Sequence, residues 1–330
     1  MKIINYFKNP KKIILYLMNK EFFNWIDDET YLKIKYRLIM EKKLDLSNPK
    51  TFNEKLQWLK LYDRKQEYTQ MVDKYEVRKY ISKILGEEYL IPLIGVYDNP
   101  KEIDFNALPN KFVIKCTHDS GTAIICKDKN KLDIKSIKRK LKKYLKRKYY
   151  YVHREWPYKN IKPRIIIEEY IEDSIVGELR DYKIYAFNGK CNYIMLCYDR
   201  IKENTKFIYY DKNWNIQKEL STDGIKYGDS IQNIKPKNLD KMFEFASILS
   251  KEIPFVRVDF YEANEKLYFG ELTFYPSAGF DTTRTNKCSE ILNKSLKLEE
   301  LNENNRIFNK WKRKWKKKSL NNKWHTKNKK

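Results

Sequence analysis

With 330 residues the chain exceeds the roughly 100–200 of an ordinary domain, so two or three packed units are expected. Hydrophobic residues at 42% and aromatics at 15% exclude a disordered chain despite 34% charge, and the longest runs free of Asp, Glu, Lys and Arg, Tyr89–Tyr97 and Leu272–Phe280, are too short for a membrane-spanning helix of about 20 apolar residues. The net charge of +25 favours an acidic partner or an anionic surface, but no zinc-finger spacing, RNP-like strand or basic region joined to heptads accompanies it, so nucleic acid is not the expected partner.

From Ile3 to about Met40 the chain is basic and rich in aromatic and aliphatic residues, and reads as short amphipathic helices around Pro10. This is a helical lead-in or a membrane-surface element. Thr51 or Asn53 caps a helix running through Leu61, and a second helix, Thr69–Leu85, closes at Gly86. Leu90–Val96 is extended. Lys111–Cys116 and Ala123–Lys127 read as a hairpin joined by the polar loop Thr117–Thr122. Lys131–Lys148 sets ten Lys or Arg against Asp133, with Ile134, Ile137, Leu141, Tyr144 and Leu145 at helical spacing, which predicts one buried and one basic face.

Strands follow at Arg164–Ile167, Arg180–Asn188 and Cys191–Asp199, the last two turned at Asn188-Gly189. Leu239–Ser250 is helical, and Val256–Tyr261 pairs with Leu267–Thr273. Strands and helices without βαβ alternation predict an α+β chain. The last 26 residues, Asn305–Lys330, carry twelve Lys or Arg and no acid, interrupted by Trp311, Trp315 and Trp324. Such a segment lies at a headgroup interface, grips a polyanion, or is a solvated tail.

Met1–Tyr6 opens no apolar h-region, so no secretory signal is expected and the cytoplasm is the expected compartment. Cys116, Cys126, Cys191, Cys197 and Cys288 are odd in number with no C-x-x-C pair, which argues against a disulfide framework and a structural zinc.

In Val256–Tyr261 the two-residue period puts Val256, Val258 and Phe260 on one face and Arg257, Asp259 and Tyr261 on the other. Phe269, Glu271 and Thr273 share a face of the next strand, and a three-residue connection, Asn264-Glu265-Lys266, sets Asp259 across from Glu271. Facing carboxylates repel unless a cation lies between them, and Mg²⁺ suits such a pair. Lys115 ends a buried strand just before Ser120-Gly121, within reach of a phosphate covered by that loop. Neither G-x-x-x-x-G-K-[ST] nor G-x-G-x-x-G occurs, so P-loop and Rossmann readings are poor. His118 in the loop is a candidate substrate contact or an ordinary polar loop residue.

Four phrases, Thr51–Trp58, Lys115–Gly121, Arg154–Tyr158 and Phe269–Phe274, stand in an order that resembles the TupA-like ATP-grasp family of polysaccharide biosynthesis, from about Thr51 to Phe280. The resemblance implies an α+β ATP-grasp fold holding a nucleotide between two antiparallel sheets. It implies a helical lead-in at 1–50, an N-terminal subdomain at 51–110, a lid subdomain at 111–170, a catalytic subdomain at 171–300 and a basic tail at 301–330. By resemblance Lys74 and Lys115 bind the phosphates under Ser120 and Gly121, Glu168, Glu169, Tyr170 and Ile171 form the hinge that reads adenine and ribose, and Lys183 is a further nucleotide contact. Asp259, Glu271 and Thr273 correspond to the Mg²⁺ ligands, although many relatives carry Asn where Thr273 stands. Arg257 matches the cation that steadies the transferring phosphoryl group.

The expected activity is therefore an ATP- and Mg²⁺-dependent carboxylate–amine ligase working through an acyl phosphate on an acidic cell-surface polysaccharide precursor of capsule or teichuronic type. Its partners would be a uronic-acid or glycan acceptor, a small amine or amino acid, and the inner face of an anionic membrane through 305–330. The alternatives are a glycosyltransferase, disfavoured by the lack of a D-x-D pattern, an ATP-grasp kinase of a glycan hydroxyl, and a polyanion-binding module.

Overall fold

The structure, a computed structural model, describes residues 10–175, 177, 179–198, 205–230 and 235–298; the first residues of the lead-in and the whole basic tail lie outside them. The helices are α1 (Pro10–Asn19), α2 (Asp28–Met40), α3 (Phe52–Tyr62), α4 (Glu67–Val72), α5 (Val77–Ile84), α6 (Ile134–Leu145), α7 (Tyr150–His153), α8 (Thr222–Tyr227), α9 (Leu239–Leu249) and α10 (Asn286–Ser295). The strands are β1 (Leu93–Tyr97), β2 (Phe112–Cys116), β3 (Ile124–Cys126), β4 (Ile165–Glu169), β5 (Arg180–Phe187), β6 (Lys190–Tyr198), β7 (Lys206–Asp211), β8 (Val256–Ala263) and β9 (Lys266–Thr273).

They form two antiparallel sheets, ordered β1-β4-β2-β3 and β7-β6-β5-β8-β9, so the α+β expectation holds. Each sheet has its own core. The first packs Phe112, Ile114, Ile165 and Ile167 under Ile137 and Leu141 of α6, whose lysines face water. The second packs against α9, which buries Met242, Phe243, Ala246 and Leu249. Thr51 starts α3 with a reciprocal capping box: its hydroxyl accepts from the Glu54 N–H and the Glu54 carboxylate accepts from the Thr51 N–H at 2.9 Å. All five cysteines are buried, and no helix of the described residues is long and apolar enough to cross a membrane.

Three details differ from the sequence expectation. The helix predicted over Thr69–Leu85 is two helices, because the Asp73 carboxylate accepts from the N–H groups of Tyr75 and Glu76 at 2.8 and 3.2 Å and so competes with the helical ladder. The β8–β9 turn holds two residues, Asn264 and Glu265, both at positive φ, rather than three. A two-residue turn alone would set Asp259 opposite Gly270. A bulge between Asp259 and Phe260 restores the Asp259–Glu271 pairing, and it also moves Phe269 to the core face, where it pairs with Phe260 with ring centroids 6.5 Å apart. Phe269 and Glu271 therefore do not share a face.

Candidate active site

Both sheets line one cleft of about 340 Å³. Lys115 and Glu168 come from the first sheet; Asp181, Lys183, Asp259 and Glu271 come from the second. Ser120 and Gly121 border it from the loop between β2 and β3. Lys74 and Arg78 approach from the broken helix, and Met71, Val72, Val77, Leu90, Ile91 and Tyr158 supply an apolar wall. At Gly121 φ is +79° and nothing lies within 4 Å of where a Cβ would stand, so the loop tip offers open backbone.

The charges interlock. Lys115 lies 2.7 Å from Glu168 Oε2, and Arg78 lies 3.1 Å from Glu168 Oε1. Lys183 Nζ bridges Asp181 at 2.5 Å and Asp259 at 2.6 Å. Arg257 grips Asp259 with Nε and Nη2, both at 2.7 Å, and its Nη2 reaches Glu271 Oε1 at 3.4 Å and Thr273 Oγ1 at 3.1 Å. The cation between the two carboxylates is thus the protein's own guanidinium. Burial opposes the charge on Lys183, but Asp259 and Asp181 override it and hold the ammonium well above its ordinary range. Burial likewise opposes ionisation of Glu271, yet Arg257, Lys183 and Lys74 pull its carboxyl below the usual value.

Lys74 is held by the loop it faces, its N–H donating to the Thr117 carbonyl at 3.3 Å and its ammonium to the Asp119 carbonyl. Burial lowers the Lys74 ammonium, with Glu271 and Asp119 opposing. His118 is buried, with Nε2 3.1 Å from the Arg147 carbonyl, and does not line the cleft.

Of the residues expected at the site, Lys74, Lys115, Ser120, Gly121, Glu168, Lys183, Asp259 and Glu271 line the cleft. Arg257 and Thr273 stand behind its carboxylates. Glu169 is exposed, Tyr170 and Ile171 are half-buried, and none of these three is in the lining; successive strand residues alternate faces, so Glu169 points away from Glu168. Sequence reasoning missed Asp181, Arg78 and Tyr158. Asp181 was recoverable, since the two-residue period puts it on the same strand face as Lys183.

The donor set fits a magnesium nucleotide: cations for phosphate oxygens, an open loop backbone, an apolar wall, and two carboxylates of which Glu271 keeps its side chain 49% exposed. No curated protein sequence matches the chain. Among solved structures, the D-alanine–D-alanine ligase of Bacillus anthracis complexed with ATP is 15% identical, with 67% of this chain and 60% of that chain covered and a TM-score of 0.41. The ATP-grasp ligase PsnB complexed with minimal precursor is 11% identical, covering 70% and 62%, at 0.40. A Chryseobacterium gregarium RiPP-associated ATP-grasp ligase in complex with ADP and a leader and core peptide is 15% identical, covering 74% and 66%, at 0.36. The chain spans about three fifths of the length of the first of these, and likeness at this level assigns it no chemistry. The family comparison is specific: the model of the TupA-like ATPgrasp family matches residues 54–297, across both sheets and the cleft between them, and the chain belongs to that family.

Proposed function

We propose that this protein is an ATP- and Mg²⁺-dependent carboxylate–amine ligase acting on an acidic cell-surface polysaccharide precursor. The observation that carries the reading is the convergence of Lys74, Lys115, Lys183, Asp259 and Glu271 on one cleft whose lining holds no Cys or His nucleophile. Such a site works by neutralising charge and aligning reactants. Lys74 and Lys115 would offset the phosphates beneath the Ser120–Gly121 backbone. Asp259 and Glu271 would hold Mg²⁺, which when bound neutralises phosphate oxygens. Arg257, fixed by Asp259, would face the charge developing on the transferred group. The substrate carboxylate oxygen attacks the γ-phosphorus of ATP, releasing ADP and giving an acyl phosphate; the amine then displaces phosphate to form the amide.

The acidic acceptor is supported by the +25 net charge, and the same charge supports peripheral contact of residues 305–330 with glycan or anionic membrane. The test incubates the protein with ATP, Mg²⁺ and a panel of uronic acids and amines, with hydroxylamine as trap. Hydroxamate formation that is silenced by methyl esterification of the acid supports the ligase. A stable phosphate monoester without hydroxamate rejects it in favour of a kinase, and consumption of a nucleotide sugar without ATP rejects it in favour of a glycosyltransferase. In calorimetry Lys115→Ala should weaken Mg·ATP binding by roughly 1.5–3 kcal/mol, the worth of a charge-assisted contact; unchanged affinity in the folded variant would move the nucleotide elsewhere.

A further inference from the structure

The phrase Arg154-Glu155-Trp156-Pro157-Tyr158 has no part in the nucleotide site, yet it carries an unusual acid. Arg154, at φ 55°, ends α7 in the left-handed region, so the chain reverses and Glu155 opens the turn Trp156–Tyr158. Tyr158 lines the cleft, and its N–H donates to the Glu155 carbonyl at 3.1 Å. Glu155 itself is 5% exposed, and its carboxylate accepts no hydrogen bond from any described residue.

Two buried ammoniums flank it, and both are spent elsewhere. Lys60 donates to Gln57 Oε1 at 3.0 Å, the His153 carbonyl at 2.9 Å and the Ala278 carbonyl at 2.8 Å; Lys35 donates to Asn19 Oδ1 at 2.9 Å and the Val152 carbonyl at 2.5 Å. These bonds satisfy the carbonyl end of α7 and tie it to the turn after β9. They hold the backbone around Glu155 and leave the acid open. Its charge is felt by Lys60, Lys35 and Glu271, and by Tyr149, Tyr158 and Tyr275 around it. An unpaired acid this buried, beside the reacting end of a cleft otherwise built for anions, lacks a cation.

We infer that Glu155 forms the subsite for the amine substrate, a primary ammonium, and takes its proton as the amide forms. The inference rests on the ligase reading. In this step one ammonium proton passes to the Glu155 carboxylate, and the freed lone pair forms the C–N bond. The C–O bond to phosphate breaks, and a second N–H proton leaves with the phosphate. Burial pushes the Glu155 carboxyl up to about 7, with Lys60 and Lys35 opposing, which suits a base working near neutrality.

The test uses the full chain and the acids of the panel that give hydroxamate. Hydroxylamine is neutral near pH 7 and needs no base, whereas glycine and methylamine arrive as ammonium ions. Glu155→Gln should keep Mg·ATP affinity and hydroxamate yield while amide formation with the amines falls by about a hundredfold, the gap closing as pH rises and free amine accumulates. Glu155→Asp, with its charge on a shorter stem, should recover part of the amide yield. Undiminished amide from Glu155→Gln overturns the inference; so does loss of hydroxamate along with amide, or hydroxamate from the wild type with no amide from any amine. Absence of hydroxamate from the wild type with every acid overturns the ligase reading itself.

Discussion

Gly270 sets the position of the carboxylate that faces the cleft. A Cβ there would meet the Asp259 carbonyl at 2.9 Å, so the bulge that pairs Asp259 with Glu271 closes only with glycine. Gly270→Ala should destabilise the protein by about 1–3 kcal/mol through forced backbone movement. Turnover should fall further than stability accounts for, because Glu271 would lose its register beside Arg257. Thermal melts paired with ADP release decide this, and wild-type turnover in the variant would show that the register is not needed. The facing of Asp259 and Glu271 was legible from strand alternation, but through a turn one residue too long. The compensating bulge was not legible, because it arises from how closely the β9 backbone approaches the Asp259 carbonyl.

The break between α4 and α5 aims Lys74. Hydrophobic spacing over Thr69–Leu85 supports one continuous helix, and only the Asp73 side chain, also 3.1 Å from Arg164, ends the ladder there. Asp73 does not line the cleft, yet Asp73→Ala should let the two helices merge and carry Lys74 off the Thr117 carbonyl. Mg·ATP affinity should fall by about tenfold, roughly 1.4 kcal/mol. Calorimetry on the folded variant reads this directly; full affinity would mean that Lys74 is positioned by the loop alone.

At the scale of the whole molecule the +25 charge is unevenly spread, and its densest part lies in the tail beyond the family match. Deleting residues 305–330 should reduce association with vesicles of anionic lipid while leaving Mg·ATP affinity unchanged. The difference should shrink as salt rises, since exposed charges are screened over about 8 Å at physiological ionic strength. Equal partitioning of both chains at low salt would assign the tail no such role. The sequence by itself determined the α+β class, the element order, the capped start of α3, the amphipathic face of α6 and the family, because these depend on local periodicity, caps and long specific phrases. Only the tertiary structure decided that Arg257 lies between the two carboxylates, that Asp181 and Arg78 join the cleft, and that Glu155 is buried without a partner. Those relations join residues tens to nearly two hundred positions apart, and burial, register and unmet hydrogen bonds exist only once the two sheets have packed.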